Sequence, residues 1–193
     1  PNGVADPTVS EPPAPPRMVQ KKQTPTILFL GTMLESKGPL VLVEALGLLQ
    51  RRGVEFHAVF AGPWRGSLTQ ERFDEAVSAS NLSSAVQHVG PVYGKAKSET
   101  LLSADIMAFP THYENEAFPL VVLEGMAAGL VPVTSNIAAL PDIVEGVGEC
   151  VPPQDAAALA DALQKYLVNP ELLHHSKLKA RSKYESQFTQ QHF

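Results

Sequence analysis

Residues 109–134, FPTHYENEAFPLVVLEGMAAGLVPVT, decide the fold. A short apolar run at 106–109 is stopped by Pro110, as a buried strand ending at its carboxyl edge should be. A polar loop carrying Glu114 and Glu116 follows. Pro119 suits the first turn of a helix, where its missing N–H costs nothing, and Gly129 is a left-handed stop ten residues on. The spacing therefore predicts a helix over 119–128 with Glu124 inside it. Residues 131–134 then resume as a strand, so the helix is a crossover between parallel strands. Ligands of such sheets sit outside the carboxyl ends of the strands, beside helix N-termini that favour anions.

The same alternation extends in both directions. Upstream, 27–33 reads as a buried strand, 34–38 as a loop, and 39–49 as a helix apolar around most of its turns. A strand at 56–61, a more polar helix at 69–80, a short strand at 86–89 and a helix at 95–104 lead to the strand at 106. Downstream, 138–144 offers one helical turn and 148–151 a last short strand. Asp155 caps a helix whose Leu159, Leu163 and Tyr166 share a face, and Pro170 starts another. Strands and helices in strict alternation define an α/β fold: a doubly wound, Rossmann-like, mostly parallel sheet of about six strands with helices on both faces.

Residues 1–24, PNGVADPTVSEPPAPPRMVQKKQT, are rich in proline and lack apolar periodicity, which reads as an extended linker before a domain over 25–193. Its abrupt beginning suggests that another segment precedes it. The net charge of −5 provides no basic footprint, so nucleic acid is not expected as a partner. No apolar run reaches the length of a membrane span, and no secretory leader is read. The single cysteine, Cys150, cannot form an internal disulfide, and the histidines show no metal-ligand spacing. A reduced, cytoplasmic compartment and no metal or cofactor are the expectations.

Several loops should converge on the carboxyl rim: 31–37, 62–65, 90–92 and 111–118. Gly31, Gly62 and Gly90 each either simply end a strand or admit a nucleotide at close range; their joint placement favours the second. Lys37 is either a solvated lysine or a point-charge partner for a diphosphate. Arg65, Lys95 and Lys97 face the same choice with less support. Glu124 sits among Leu120, Val121, Val122, Leu123 and Met126, where a helix packed on a sheet has no evident use for a carboxylate. It lies either on an exposed helix edge or at the rim, where it would bind a vicinal diol such as a ribose. A Ser-His hydrolase is dismissed, because no nucleophile elbow occurs, and the absence of the three-glycine fingerprint disfavours a nicotinamide or flavin cofactor.

With these residues in view, a family resemblance is specific. Glu116 and Glu124, with seven residues between them, resemble the Glu-x7-Glu signature of group 1 retaining glycosyltransferases, which are built from two Rossmann-like domains in the GT-B arrangement. Pro1-Asn2-Gly3-Val4 resembles the linker entering their C-terminal domain, residues 31–38 resemble their Gly-Arg-Leu-x-x-x-Lys-Gly loop, and 140–144 resemble their Pro-Glu-Ile-Val segment. The chain is thus similar to the donor-binding half of such an enzyme.

The resemblance implies a nucleoside-diphosphate sugar as donor, sugar transfer with retention, and an absent N-terminal domain as partner, to which any peripheral membrane contact would belong. By position, Glu124 would hold the ribose and Glu116 the donor sugar. The backbone of Ala117, Phe118, Pro119 and Leu120 would approach sugar and diphosphate, and Lys37 would bind the diphosphate. Gly31, Thr32, Gly62 and Gly90 would lie in the rim loops. Thr32 stands where the family carries a phosphate-binding arginine, Pro119 and Ala138-Ala139 stand where glycines are common, and Gly125 replaces an alanine. The isolated chain is expected to turn over little or nothing. Two other readings are a nucleotide-sugar 2-epimerase of the same fold and a non-enzymatic, flavodoxin-like nucleotide-binding module.

Overall fold

Apart from Thr26, strands β1 (Thr26–Leu30) and β4 (Ile106–Phe109) are wholly apolar, and such runs are stable only where both faces of a sheet are covered. Both lie at the sheet's centre in the computed structural model, which describes residues 24–114, 116 and 119–189. The linker expected over 1–24 falls, Thr24 apart, outside the described residues, and so do Ala117 and Phe118.

Four shorter or more peripheral strands complete the sheet: β2 (His57–Ala61), β3 (Val86–His88), β5 (Val131–Ser135) and β6 (Glu149–Val151). The order is β3-β2-β1-β4-β5-β6, and every neighbouring pair is parallel. The chain winds outward through β2 and β3, returns to the centre, and winds the other way through β5 and β6. Its reversal falls between β1 and β4, where Ile27 lies opposite Ile106. A crevice at the carboxyl ends of these two strands is the expected ligand position in such sheets.

Alternate residues of β1 feed the two faces, as the period of a strand requires. Ile27 and Phe29 pack with helices α1 (Pro39–Arg51), α2 (Gln70–Ala79) and α6 (Ala156–Leu167). Leu28 and Leu30 face the other side, with Met107 and with Leu101 of α3 (Gly94–Leu102). Helices α4 (Leu120–Ala127) and α5 (Leu140–Val144) cover the rest of that side. Helix α7 (Pro170–Gln187) links the two, with Leu173 in the first cluster and Ala180 and Tyr184 in the second. Gly125 lets α4 lie close on β4: a Cβ there would come within 3.2 Å of Met107 Cβ.

At the amino end of the sheet, Asp105 is 2% exposed and fully engaged. Its Oδ2 accepts from the Thr26 backbone N–H (2.9 Å), and its Oδ1 accepts from Lys177 Nζ (2.8 Å), which joins β1, β4 and α7. The expected strand over 27–33 is shorter than its apolar run, ending at Leu30. Beyond it the chain crosses toward β2, where the Met33 N–H donates to the Pro63 carbonyl (2.8 Å) and Met33 bridges Trp64.

Candidate active site

The loops that leave β1, β2 and β3 are laced by backbone hydrogen bonds. The Gly31 N–H donates to the Ala61 carbonyl (3.0 Å) and the Gly62 N–H to the Gly90 carbonyl (2.9 Å). A Cβ on Gly62 would stand 1.7 Å from the Gly31 carbonyl oxygen, so only glycine permits this approach. His88 Nε2, 2.9 Å from the Gly62 carbonyl, fixes the same turn, and its ring packs against Trp64 at a tilt of 46° with centroids 4.4 Å apart.

These strand ends form the floor of a cavity of about 450 Å³. Gly31, Thr32 and Gly62 line the floor. Pro91, Val92 and Tyr93 make one wall from the β3–α3 connection, and Leu120, Val121 and Glu124 make another from α4. Lys97 reaches in from α3, its Nζ 2.6 Å from Glu124 Oε1. The cavity combines a floor of small residues, an apolar wall and one carboxylate–ammonium pair. That combination suits a ligand with a flat apolar part, a diol and negative charge.

A second ion pair flanks it. Lys37 ends a single 3-10 turn, Glu35–Lys37, tied to the loop after β4 by the His112 N–H donating to the Ser36 carbonyl (2.8 Å). Lys37 Nζ lies 2.6 Å from Glu116 Oε2 and 4.4 Å from the centroid of the Tyr113 ring. The hydroxyl of Thr111 is 3.3 Å from both Glu116 Oε2 and the Ser36 carbonyl and donates to one at a time. Lys37 is 19% exposed and Glu116 10%, so the pair is largely withdrawn from water. Glu35 is directed away to Arg72, whose hydrogen bond and charge hold that carboxyl below its usual range.

Of the residues singled out from the sequence, Gly31, Thr32, Gly62, Leu120 and Glu124 meet in the cavity wall. Lys37 and Glu116 pair with each other beside it, and Gly90 supports Gly62 from behind without lining it. Pro119 caps α4 from an extended conformation (φ −76°, ψ 95°) instead of opening its first turn, and its carbonyl accepts from the Val122 N–H (3.0 Å). Lys95 is a surface residue, 3.7 Å from Glu99 one helical turn on, and Arg65 is exposed. Lys97, given no more weight than those two, stands in the site. Tyr93 was not anticipated at all. Its signal is a large aromatic side chain 73% exposed at the mouth of a cavity.

Among the described residues no group of three or more His, Cys, Asp or Glu side chains gathers to hold a metal, and no helix is long and apolar enough to cross a membrane. The sequence matches the family model of the glycosyl transferases group 1 over residues 14–183. The chain belongs to the group 1 glycosyl transferases. It is 33% identical over 178 residues to a phosphatidyl-myo-inositol mannosyltransferase of Mycobacterium leprae, covering 89% of this chain and 44% of that protein.

Solved structures share the fold. Sucrose-phosphate synthase from Thermosynechococcus elongatus superposes with a TM-score of 0.77 at 27% identity, over 87% of this chain and 42% of that one. The C-terminal domain of a glycosyl transferase group 1 family protein from Francisella tularensis superposes with a TM-score of 0.78 at 19% identity, covering 86% of this chain and 87% of that one; it shows the shared fold. This group 1 chain thus spans somewhat less than half the length of its first two relatives.

Proposed function

We propose that this chain is the donor-binding half of a glycosyltransferase that moves a sugar, with retention at the anomeric carbon, from a nucleoside diphosphate to an acceptor hydroxyl. The observation that carries the proposal is the placement of Glu124 in the wall of a glycine-floored cavity at the switch point of the sheet. A carboxylate there accepts two hydrogen bonds from a ribose diol, and the apolar wall at 91–93 receives the base. The diphosphate then points toward α4 and Lys37, with the sugar beyond it at Glu116.

In this scheme the bond from the anomeric carbon to the diphosphate oxygen breaks, a bond from that carbon to the acceptor oxygen forms, and the acceptor hydroxyl's proton passes to the departing diphosphate oxygen. Charge grows on the leaving diphosphate as this happens. Lys37 and the start of α4 supply fixed positive potential at that point, the term that usually dominates such catalysis. Acceptor recognition, and any peripheral membrane contact, fall to a second Rossmann-like domain in the complete GT-B protein.

The test is product analysis of the full-length protein with a panel of sugar nucleotides and candidate acceptors. Transfer of labelled sugar to the acceptor with the donor's anomeric configuration is expected. A new sugar nucleotide with no glycoside would assign the protein to the 2-epimerases. The 193-residue chain alone is expected to transfer nothing measurable, and turnover by it would refute the two-domain scheme.

A further inference from the structure

We infer that Lys97 is a donor-binding residue: it holds the Glu124 carboxylate at the cavity wall in the empty site and binds the phosphates of the nucleoside diphosphate when the cavity fills. The inference rests on the nucleotide-site reading above and assigns a second cation to it. Lys97 stands on α3 and Glu124 on α4, and Nζ meets Oε1 at 2.6 Å within the lining of the cavity. Among the described residues that line it, Lys97 carries the only positive charge and Glu124 the only negative one.

A carboxylate suits a ribose diol, because both of its oxygens accept. The same carboxylate repels the diphosphate attached to that ribose, so an anion-binding cavity that uses it needs a cation within a few ångströms. Lys97 satisfies that need. Its ammonium carries three N–H donors, and the Glu124 contact uses one of them. The lysine therefore contacts a phosphate oxygen without surrendering Glu124 and keeps the pair near neutrality throughout.

Stability alone gives little reason for the pair. Lys97 is 33% exposed and Glu124 21%, and ion pairs of that exposure contribute little to folding. Lys37 does not fill the same role, since its ammonium is held by Glu116 outside the cavity lining. The two lysines thus approach a diphosphate from different strand ends.

The test is calorimetric titration of the full-length protein with UDP, GDP and ADP, followed by variants measured with whichever binds. Lys97→Met is expected to weaken binding about tenfold or more, the usual effect of losing a hydrogen bond to a charged group. It should also flatten the dependence of affinity on salt. Lys97→Arg should stay within a few-fold of the parent, and Lys95→Met, two positions away on α3 and solvent-exposed, should match it. Lys97→Gln, titrated in parallel, covers the case in which Lys97→Met does not fold. Parent-like affinity and salt dependence in a folded Lys97→Met or Lys97→Gln protein would overturn the inference while leaving the nucleotide site intact. No binding by the parent would instead overturn the nucleotide reading.

Discussion

Lys37 Nζ lies 2.6 Å from Glu116 Oε2, which joins the turn after β1 to the loop after β4 across the point where the sheet reverses. In the proposed reaction these two groups have different partners, diphosphate for the lysine and sugar hydroxyls for the glutamate. The pair therefore has to be shared with, or yielded to, an incoming donor.

Substituting one member separates the two roles. Glu116→Gln removes the sugar contact but frees Lys37, so transfer should fall on the order of 100-fold, the typical loss for one preorganised polar group at a reacting centre. Affinity for the sugar-free nucleoside diphosphate should stay level or rise. Steady-state rates paired with calorimetry on the full-length protein check this. A variant whose transfer rate is unchanged, or whose diphosphate affinity falls in step with it, would contradict the assignment.

Gly62 tests the floor of the cavity. The Cβ of Gly62→Ala would meet the Gly31 carbonyl at 1.7 Å, and backbone cannot yield as a flexible side chain does. The loops after β1 and β2 would have to separate, at a cost of about 2 kcal/mol or more. Urea denaturation should show that loss, and nucleotide binding should weaken with it. A parent-like denaturation midpoint would show that the two loops are not held as closely as described.

Ala138 offers the opposite sign. It occupies the left-handed region at φ 48° in the exposed loop between β5 and α5. An alanine there is strained by roughly 1–2 kcal/mol, and glycine returns part of that gain as unfolded-state entropy. Ala138→Gly should therefore stabilise the fold by about 0.5–1 kcal/mol. A lower urea midpoint for the variant would contradict the strained conformation.

Alkaline pH should expose Tyr166. Burial, reinforced by the charge of Glu149 and a hydrogen bond to it, pushes this phenol up to about 12, above the value of about 10 for a free tyrosine. Between those values the unfolded chain loses a proton that the folded chain keeps, so stability falls as pH rises. The contribution is fully present below about pH 10 and amounts to at most about 2 kcal/mol. Tyr166→Phe should flatten the decline in urea midpoint over this window. An equally steep decline in the variant would place its origin elsewhere.

Much of this architecture is written locally. The apolar run at 106–109, the stop at Gly129 and the resumption at 131 specify a parallel crossover without reference to anything distant, and Glu124 is conspicuous because its neighbours are apolar. What the sequence does not display is which charges meet. Lys37 and Glu116 are 79 residues apart, and Lys97 and Glu124 are 27 apart on different helices. The first pairing depends on how the loops after β1 and β4 meet and the second on how α3 and α4 pack at the rim, and no periodicity encodes either. Lys97 and Lys95 look alike in the chain, two positions apart on α3, yet one lines the cavity and the other is 89% exposed. Gly90 illustrates the reverse error of proximity. It stands in the expected loop, but its carbonyl is spent on Gly62 and the cavity wall begins one residue later.

The central claim is that the cavity under Glu124 is a nucleoside-diphosphate site. The most direct measurement is calorimetric titration of the full-length protein and its Glu124→Ala variant with UDP, GDP and ADP. The account predicts saturable, one-to-one binding of at least one of the three by the parent. It also predicts a loss of about tenfold or more in Glu124→Ala, because two charge-assisted hydrogen bonds to the ribose disappear. Parent protein that binds none of them, or a folded Glu124→Ala variant that binds as tightly as the parent, would contradict it.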